Sequence, residues 1–595
     1  AAALALWMES AFPALVVGAA QYQDAFARAF QAHLALWGLY LALLVVGRRR
    51  LRHAAAGLGT LAGAVALALT GLAHGLQVGW SALGVATLAI GALAMGSVVN
   101  GLLLGHWYLV TPRLSPRPLT RMTVLLLAAL ALQLATTLGY LALAALGVLA
   151  PTVATARPTR YLIDIRFDPE TRWLTGQETV VYTNNEPTPL RAVYFRLFPN
   201  LPDFGQAGVA MLTVDGQVVT PRPELKGTAL RVALPRTLRP GASVTFEIEF
   251  AVEVPATLGG NYGSFAFADD VLALAGFYPM IPVYNDEGWN LEIAPSYGDI
   301  VFSDTSLYLV NLTLPAGWQV AASGSTLAVN EHADGTATWT IASGLMRDFT
   351  LVASPLYEIS EQRVGDVVVR SYYKPDDAAG GQRALAYAAD ALAYFGEAFG
   401  PYPFAELDVA ATPTLAAGIE YPGLIVIADR LYDEEDGFFE WAVVHETAHQ
   451  WWYSLVGNDQ VDEPWLDEAL SQYATLMYIE RTKGKAAAQA ARATAFEEPY
   501  RRLQEAGRDQ AVGQPVRAFR QEEYGPVVYS KGPLFFDAVR AQIGEKQWQA
   551  FLRNYLATYR YGIATPQGLL ATAEAACRCD LRPLYRRWIT EPTRN

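Results

Sequence analysis

The first 150 residues consist largely of apolar runs. Four of these runs are long enough to cross a lipid bilayer or nearly so, at about 31–47, 54–76, 78–105 and 122–150. An earlier stretch, 1–20, contains Glu9 and Pro13 and is either a fifth span or an interfacial segment. Several consecutive spans are not explained by a signal peptide or by buried helices of a soluble protein. We therefore predict a multi-span transmembrane domain over residues 1–152.

Arginine residues fill two of the connections between these runs. They are Arg48, Arg49, Arg50 and Arg52 in one connection and Arg113, Arg117 and Arg121 in the other. The positive-inside rule places both connections in the cytoplasm. Because one span, 122–150, follows the second basic loop, we expect everything after Pro151 to lie outside the cytoplasm. The expected location is the cell membrane, with the lipid bilayer as a partner.

From about 158 to 358 the pattern changes to short runs in which apolar and polar positions alternate. Clear examples are YLIDIRF at 161–167, VTFEIEF at 244–250 and SLYLVNLTL at 306–314, with Pro, Gly and Asn between the runs. Such alternation is typical of antiparallel strands with one buried face. We predict a β-rich saddle or sandwich domain over 158–358.

The last third of the chain mixes strand and helix patterns. Strands are indicated at 367–373 and 406–412, an Ala-rich helix at about 381–398, and further helices across 441–452 and from Pro464 onward. The pattern predicts a mostly helical α+β domain over 365–592. The fold class is therefore multi-domain, with transmembrane, β-rich and mostly helical parts in that order.

Composition and charge narrow the classes of function. The chain has 595 residues, of which 52% are hydrophobic and 17% charged, and its net charge is −13. The first 150 residues carry eight Arg against two acidic residues, so the remainder has 36 basic and 55 acidic residues. An acidic remainder argues against a nucleic-acid partner. The two cysteines, Cys577 and Cys579, are too few for a disulfide scaffold or a cysteine-ligated zinc finger, and their redox state stays open.

Residues 441–452 read WAVVHETAHQWW and contain the pattern HExxH. On a helix, His445 and His449 are four residues apart and share one face, so their imidazoles can bind one metal ion. Glu446 projects from a neighbouring angle. A structural histidine pair on a helix is the alternative explanation for this motif alone.

A second helical pattern supplies a third candidate ligand. Gly457, Asn458 and Asp459 interrupt the first helix, and the next helix presents Glu468, with eighteen residues between it and His449. That distance allows the second helix to run back beside the first. Two neutral histidines and one carboxylate leave a fourth position open for water, as in catalytic zinc sites.

With these motifs the chain resembles the aminopeptidase N family of zinc metallopeptidases (gluzincins), whose catalytic domain is thermolysin-like. GIEYPG at 418–423 is similar to the family's exopeptidase signature, and YSKG at 529–532 matches its Tyr-x-Lys-Gly motif. DLRPLYRRWI at 580–589 resembles the end of the catalytic domain, and the β-rich part resembles the saddle-shaped domain. The resemblance covers about 158–592, and the membrane part lies outside it.

The resemblance implies a role for each motif residue. His445, His449 and Glu468 would bind one zinc ion, which makes a nucleophilic water available near neutral pH. Glu446 would be the general base that takes the proton of this water and later delivers it to the leaving amine. Tyr529 would stabilise the oxyanion of the tetrahedral intermediate.

Substrate binding is implied for three further positions. Glu420 would pair with the free α-ammonium group of the peptide, Gly418 belongs to the same signature, and Tyr524 matches a second active-site tyrosine of some members. The sequence departs from the family pattern at Ile419 and Tyr421, and at Asp467 and Ala469 beside Glu468. The chain ends at Asn595, directly after the catalytic domain, so we expect the family's C-terminal helical domain to be absent and the site to be more open.

The sequence thus predicts a membrane-anchored zinc metalloaminopeptidase that acts on peptides. Two alternatives stay open. One is a zinc endopeptidase, or a peptidase that regulates a specific membrane-protein partner. The other, from a different class, is an inactive peptidase fold with a binding or transport-associated role.

Overall fold

The computed structural model describes residues 157–202, 204–434 and 437–592. The predicted transmembrane domain over 1–152 lies outside these residues. Within the three described ranges, no helix is both long enough and apolar enough to cross a membrane. The described chain has a β-rich N-terminal region and a mostly helical C-terminal region, as the residue pattern predicts.

The strands, in chain order, are β1 (Thr159–Asp168), β2 (Trp173–Thr183), β3 (Leu190–Arg196), β4 (Gln206–Val214), β5 (Gln217–Val218), β6 (Arg222–Glu224), β7 (Ala229–Leu238), β8 (Ser243–Glu253), β9 (Phe265–Ala268), β10 (Val271–Leu274), β11 (Tyr284–Asn285), β12 (Gly288–Trp289), β13 (Ser306–Pro315), β14 (Gln319–Ala322), β15 (Ser325–Glu331), β16 (Thr336–Ala342), β17 (Leu351–Ser354), β18 (Glu358–Val364), β19 (Val367–Tyr373), β20 (Glu406–Thr412), β21 (Gly418–Ile419) and β22 (Leu424–Ala428).

The largest sheet has eight strands in the order β15-β16-β13-β1-β2-β8-β4-β5. Strand β1 shows why the residue pattern predicts it: Ile163, Ile165 and Phe167 are buried, whereas the residues between them are exposed. The sheet is antiparallel except at one place, because β1 and β13 pair in parallel with Thr159 opposite Ser306. A parallel pair needs a long crossover. The chain between these two strands supplies it by forming β2 to β12.

Three smaller sheets complete the β-rich region. Their orders are β14-β17-β10-β9, β3-β7-β6 and β11-β12. A fifth sheet, β18-β19-β20-β22-β21, belongs with the helices. Its strands β19, β20 and β22 are parallel, and β21 closes the edge by antiparallel pairing of Gly418 with Ile427. This edge strand carries the GIEYPG motif into the site described below.

The helices, in chain order, are α1 (Ala378–Ala398), α2 (Gly437–Ala448), α3 (Trp465–Lys483), α4 (Lys485–Arg492), α5 (Glu498–Glu505), α6 (Gln521–Tyr524), α7 (Gly532–Ile543), α8 (Glu545–Tyr559), α9 (Pro566–Cys577) and α10 (Arg582–Tyr585). Segments with π-helical hydrogen bonding lie at Ala493–Glu497, Gly525–Lys531 and Arg586–Thr590. Short 3-10 turns lie at Phe198–Asn200, Leu225–Gly227, Asn261–Gly263, Pro375–Asp377, Asp429–Leu431 and Val516–Ala518.

Helices α2 and α3 form the centre of the helical region. Helix α2 is buried along most of its length, since Val443, Val444 and Ala448 are fully buried and the polar residues His445 and Glu446 are buried as well. Such a helix is stable only when it is covered on every face. Helix α3 covers one of these faces, and the π-helical segment Gly525–Lys531 packs against α3.

One buried arginine joins the β-rich region to the helical region. Arg347 donates hydrogen bonds to the carbonyl oxygens of Ser303 (3.1 Å), Tyr453 (2.6 Å) and Leu455 (3.4 Å), and also to that of Gly562. A Cβ on Gly457 would stand 2.0 Å from the guanidinium carbon, so only glycine fits there. Because the acceptors lie far apart in the chain, this side chain holds the two regions together.

The two cysteines form a disulfide bond with each other. Cys577 ends α9, Cys579 follows two residues later, and Arg578 between them has a φ of 54°. The sequence left the redox state of these residues open, and in the structure both are oxidised.

Candidate active site

Two helices bring three candidate metal ligands together. His445 lies in the last turn of α2, His449 directly follows this helix, and Glu468 lies in the first turn of α3. The Nε2 atoms of the two histidines are 3.2 Å apart. Oε2 of Glu468 lies 3.2 Å from Nε2 of His445 and 3.3 Å from Nε2 of His449. All three side chains are buried.

This triangle of atoms fits a zinc ion. Tetrahedral zinc with ligand bonds of 2.0–2.1 Å requires roughly 3.3 Å between neighbouring ligand atoms. The three separations of 3.2, 3.2 and 3.3 Å between His445, His449 and Glu468 agree with that requirement. Two imidazole nitrogens and one carboxylate oxygen are also the donor set of catalytic zinc sites that keep one position open.

Hydrogen bonds orient two of these ligands. The ring nitrogen Nδ1 of His449 donates to the carbonyl oxygen of Trp452 over 3.0 Å. Since a carbonyl oxygen only accepts, the proton is on Nδ1 and the lone pair of Nε2 faces the metal position. The hydroxyl of Tyr529 donates to Oε1 of Glu468, which leaves Oε2 for a metal.

Glu446 lies beside the same position. Its carboxylate is buried and forms a close group with Glu420 and His449, in which one atom from each lies within 4.8 Å of the others. Burial raises the pKa of Glu446 well above its usual range, and the nearby charge of Glu420 raises it further. Gly418 on β21 faces this carboxyl group directly, so the GIEYPG motif and the HExxH motif meet at these two residues.

Glu420 is held by two glutamines. The backbone after it is fixed by Gln450, whose Oε1 accepts from the amide of Gly423 (2.9 Å) and whose Nε2 donates to the carbonyl of Tyr421 (3.1 Å). The carboxylate accepts from Nε2 of Gln460 at 2.9 Å. Burial raises the pKa of Glu420, although His449 opposes this effect.

The two predicted tyrosines lie next to each other, and one of them contacts Glu468. Tyr529 belongs to the π-helical segment Gly525–Lys531 and contacts Glu468, as described above. Tyr524 ends α6, and its ring lies 5.8 Å from that of Tyr529. Its buried hydroxyl makes no hydrogen bond to the described residues. Burial raises the pKa of both hydroxyls well above 10, so both keep their protons.

Asp299 is a site residue that the sequence analysis missed. One of its carboxylate oxygens forms a close group with oxygens of Glu420 and Glu468, all within 4.8 Å of one another. Asp299 belongs to the segment between β12 and β13. Two hydrogen bonds hold this segment in place. The amide of Gly298 donates to the hydroxyl of Tyr262 (2.7 Å), and the hydroxyl of Tyr297 donates to the carbonyl oxygen of Phe519 (2.8 Å). No motif surrounds Asp299, so no local signal could have identified it.

Asp467 and Gln460 form a second group that sequence reasoning did not assign. Asp467 accepts from Nε2 of Gln460 (2.7 Å) and from Nδ2 of Asn458 (2.9 Å), and all three side chains are buried. Burial and the neighbouring charge of Glu468 raise the pKa of Asp467 to about 8. The sequence indicated only that Asp467 departs from the family pattern.

The structure therefore brings all eight predicted site residues into one cluster. They are Gly418, Glu420, His445, Glu446, His449, Glu468, Tyr524 and Tyr529. Five carboxylates, counting Asp299 and Asp467, surround two histidines. An excess of negative charge at a buried site favours binding of cations, both a metal ion and an ammonium group.

The chain is similar to several known proteins. A family profile described as "Peptidase family M1 domain" matches residues 383–588. Aminopeptidase M1 of Arabidopsis thaliana is 27% identical over 250 residues, which are 39% of this chain and 28% of that protein. The chain thus matches less than a third of the length of this curated relative.

Solved structures share the fold over a larger part of the chain. The M1 zinc metallopeptidase from Deinococcus radiodurans superposes with a TM-score of 0.57 at 23% identity and covers 73% of this chain and 95% of its own. A mutant of that protein bound to a Tyr-Ser-Ala substrate gives a TM-score of 0.56 at 23% identity, over 74% of this chain and 96% of its own. Residues 383–588 are therefore similar to the peptidase family M1 domain, and the solved structures share the fold.

Proposed function

We propose that the chain is a zinc metalloaminopeptidase that removes N-terminal residues from peptides. The observation that supports this proposal best is the position of Glu420 and Asp299 beside the triangle of His445, His449 and Glu468. A site of this kind offers one place for a metal and an adjoining place for a positive charge.

His445, His449 and Glu468 would hold the zinc ion. When bound, zinc supplies a Lewis acid that lowers the pKa of water toward neutrality and polarises the scissile carbonyl group. Two of these three side chains are already oriented, because the carbonyl of Trp452 fixes the ring of His449 and Tyr529 fixes the carboxylate of Glu468.

Glu446 would move the proton. Its carboxylate accepts a proton from the attacking water and then gives it to the nitrogen of the breaking peptide bond, so the amine leaves neutral. Burial and the nearby acids give Glu446 a high proton affinity, which suits a general base near neutral pH. Its contact with Gly418 limits how far the carboxyl group can move.

Tyr529 would donate a hydrogen bond to the oxyanion of the tetrahedral intermediate. Its hydroxyl keeps its proton, because burial raises its pKa well above 10. In the structure that proton is directed to Oε1 of Glu468, so a short rotation of the side chain would redirect it to substrate. Such donors act mainly on charge that develops in the transition state.

Glu420 and Asp299 would bind the α-ammonium group of the peptide. Their carboxylates converge on one place from two different regions of the chain, the loop directly after β21 and the segment before β13. A charge held there places the first peptide bond next to Glu446. Peptides with a blocked N-terminus lack this charge. Their binding would leave the buried carboxylates unpaired, which makes the binding free energy less favourable.

Residues 1–152 would anchor this enzyme in a membrane, with the catalytic region outside the cytoplasm. This part of the proposal rests on the apolar runs and on the two arginine-rich loops. An alkaline phosphatase fused after Asn595 should be active, and a cytoplasmic reporter at the same place should be inactive. The opposite pattern would refute the proposed orientation.

The test of the enzymatic proposal is hydrolysis of alanyl and leucyl fluorogenic amides by the full chain in detergent. Glu446→Gln should abolish activity while zinc content stays at one ion per chain. Glu505→Gln, a matched change on the exposed side of α5, should leave activity unchanged. A chelator should remove activity, and added zinc should restore it. Equal cleavage of N-acetylated and free peptides would favour the endopeptidase alternative instead.

A further inference from the structure

We propose that Gln460 and Asp467 are positioning residues that hold the carboxyl group of Glu420 in the orientation needed to recognise an ammonium group. This inference rests on the proposed aminopeptidase function. It concerns a chain of three buried side chains, in which Asp467 contacts Gln460 and Gln460 contacts Glu420. Neither Gln460 nor Asp467 would touch the peptide bond that is cleaved.

The hydrogen-bond count at Gln460 supports the inference. A side-chain amide nitrogen carries two hydrogens. Nε2 of Gln460 donates one to Oε1 of Glu420 (2.9 Å) and the other to Oδ2 of Asp467 (2.7 Å). With both hydrogens in use and the side chain 2% exposed, Gln460 has no freedom to release Glu420.

Asp467 determines which way the amide of Gln460 faces. Oε1 of Glu420 and Oδ2 of Asp467 both accept from Nε2 of Gln460, so the two carboxyl groups lie on the same side of the amide. If the amide were flipped, its carbonyl oxygen would face two carboxylates. An asparagine at position 467 would remove this constraint, because an asparagine both donates and accepts.

Asp467 is itself fixed by the loop between α2 and α3. Its Oδ1 accepts from Nδ2 of Asn458 at 2.9 Å, and the same Nδ2 lies 3.2 Å from the carbonyl oxygen of Glu463. The loop that brings Glu468 to the histidines therefore also orients Glu420. With Oε1 of Glu420 occupied by Gln460, an ammonium group would meet the carboxylate through Oε2.

The test is a double-mutant cycle on the full chain with leucyl amide as substrate. Gln460→Met keeps the length of the side chain and removes both hydrogen bonds. We expect it to raise KM roughly tenfold, the effect of losing a hydrogen bond to a charged group, with kcat changed less than about threefold. Asp467→Asn should raise KM by a smaller factor. Zinc content should stay unchanged in both variants.

The cycle separates positioning from a general structural effect. In a Glu420→Ala background, Gln460→Met should cause no further loss of kcat/KM, because it has no carboxylate left to hold. Gln489→Met, the same change on the exposed side of α4, should leave KM unchanged in either background.

Three outcomes would overturn the inference. One is an unchanged KM in Gln460→Met, and another is a full additional loss in the Glu420→Ala background. The third is a loss of zinc, which would show that the residues support the metal ligands instead. In all three cases the wild-type chain would still hydrolyse leucyl amide, so the proposed function would stand. A wild-type chain that hydrolyses no free-amine substrate would refute the function and this inference together.

Discussion

Gly418 lies directly against the carboxyl group of Glu446. A Cβ on Gly418 would stand 2.5 Å from both Cγ and Oε1 of Glu446, closer than any side chain tolerates. Strand β21 and helix α2 can approach this closely only because residue 418 has no side chain. The glycine of the GIEYPG motif thus sets the position of Glu446, the proposed general base of the HExxH motif.

Replacing Gly418 by alanine should therefore displace Glu446. We expect kcat for leucyl amide to fall roughly tenfold or more, since efficient proton transfer depends on the position of the base. Zinc content should be retained, because the added methyl group does not face the ligands. Gly396→Ala, in α1 where a Cβ meets nothing within 4 Å, is the matched control and should keep full activity. Normal kcat in Gly418→Ala would show that Glu446 tolerates movement.

Asp299→Asn should weaken recognition of the free amine. The substitution removes one of the two carboxylates that face the proposed ammonium position and keeps the shape of the side chain. We expect KM for leucyl amide to rise roughly tenfold with a small change in kcat. Asp286→Asn, at an exposed position in the turn between β11 and β12, should have no effect. An equal loss in both variants would contradict a specific role for Asp299.

Arg347→Met should destabilise the contact between the β-rich and helical regions. The change leaves the carbonyl oxygens of Ser303, Tyr453 and Leu455 without this donor in a buried place. We expect the free energy of unfolding to fall by about 3 kcal/mol, measured by urea denaturation. Arg166→Met, at an exposed arginine on β1, should change it by less than about 0.5 kcal/mol. A small effect at Arg347 would mean that other contacts hold the regions together.

Asp348 should make stability fall as the pH rises. Burial raises the pKa of its carboxyl group to about 7, and the hydrogen bond from Tyr453 lowers this value only in part. The unfolded chain titrates near pH 4, so the folded chain holds an extra proton between about pH 4 and pH 7. The contribution of Asp348 is therefore most favourable below pH 4 and is lost by pH 7.

The variant Asp348→Asn isolates this contribution. An asparagine stays neutral at every pH and still accepts the hydrogen bond from Tyr453. The free energy of unfolding of Asp348→Asn, taken relative to that of wild type, should rise by roughly 4 kcal/mol between pH 4 and pH 8. This value follows from a pKa difference of about three units between the folded and unfolded states of wild type. Urea denaturation at several pH values measures the difference. Parallel pH curves for the two proteins would show that Asp348 has an ordinary pKa.

The local sequence determined the elements and most of the site. The alternation at Ile163, Ile165 and Phe167 predicted β1, because strand residues face alternate sides of a sheet. The spacing of His445 and His449 placed both imidazoles on one helical face, since four residues make about one turn. These features depend only on the neighbours of each residue along the chain.

Only the tertiary structure decided the parallel pairing of β1 with β13, the approach of Asp299 to Glu420, and the contact of Gln460 with the same carboxylate. Each joins residues that are distant along the chain and carry no shared motif. Such contacts depend on how whole sheets and helices pack and on which buried polar groups find partners. Local periodicity contains no information about either, because it describes one element at a time.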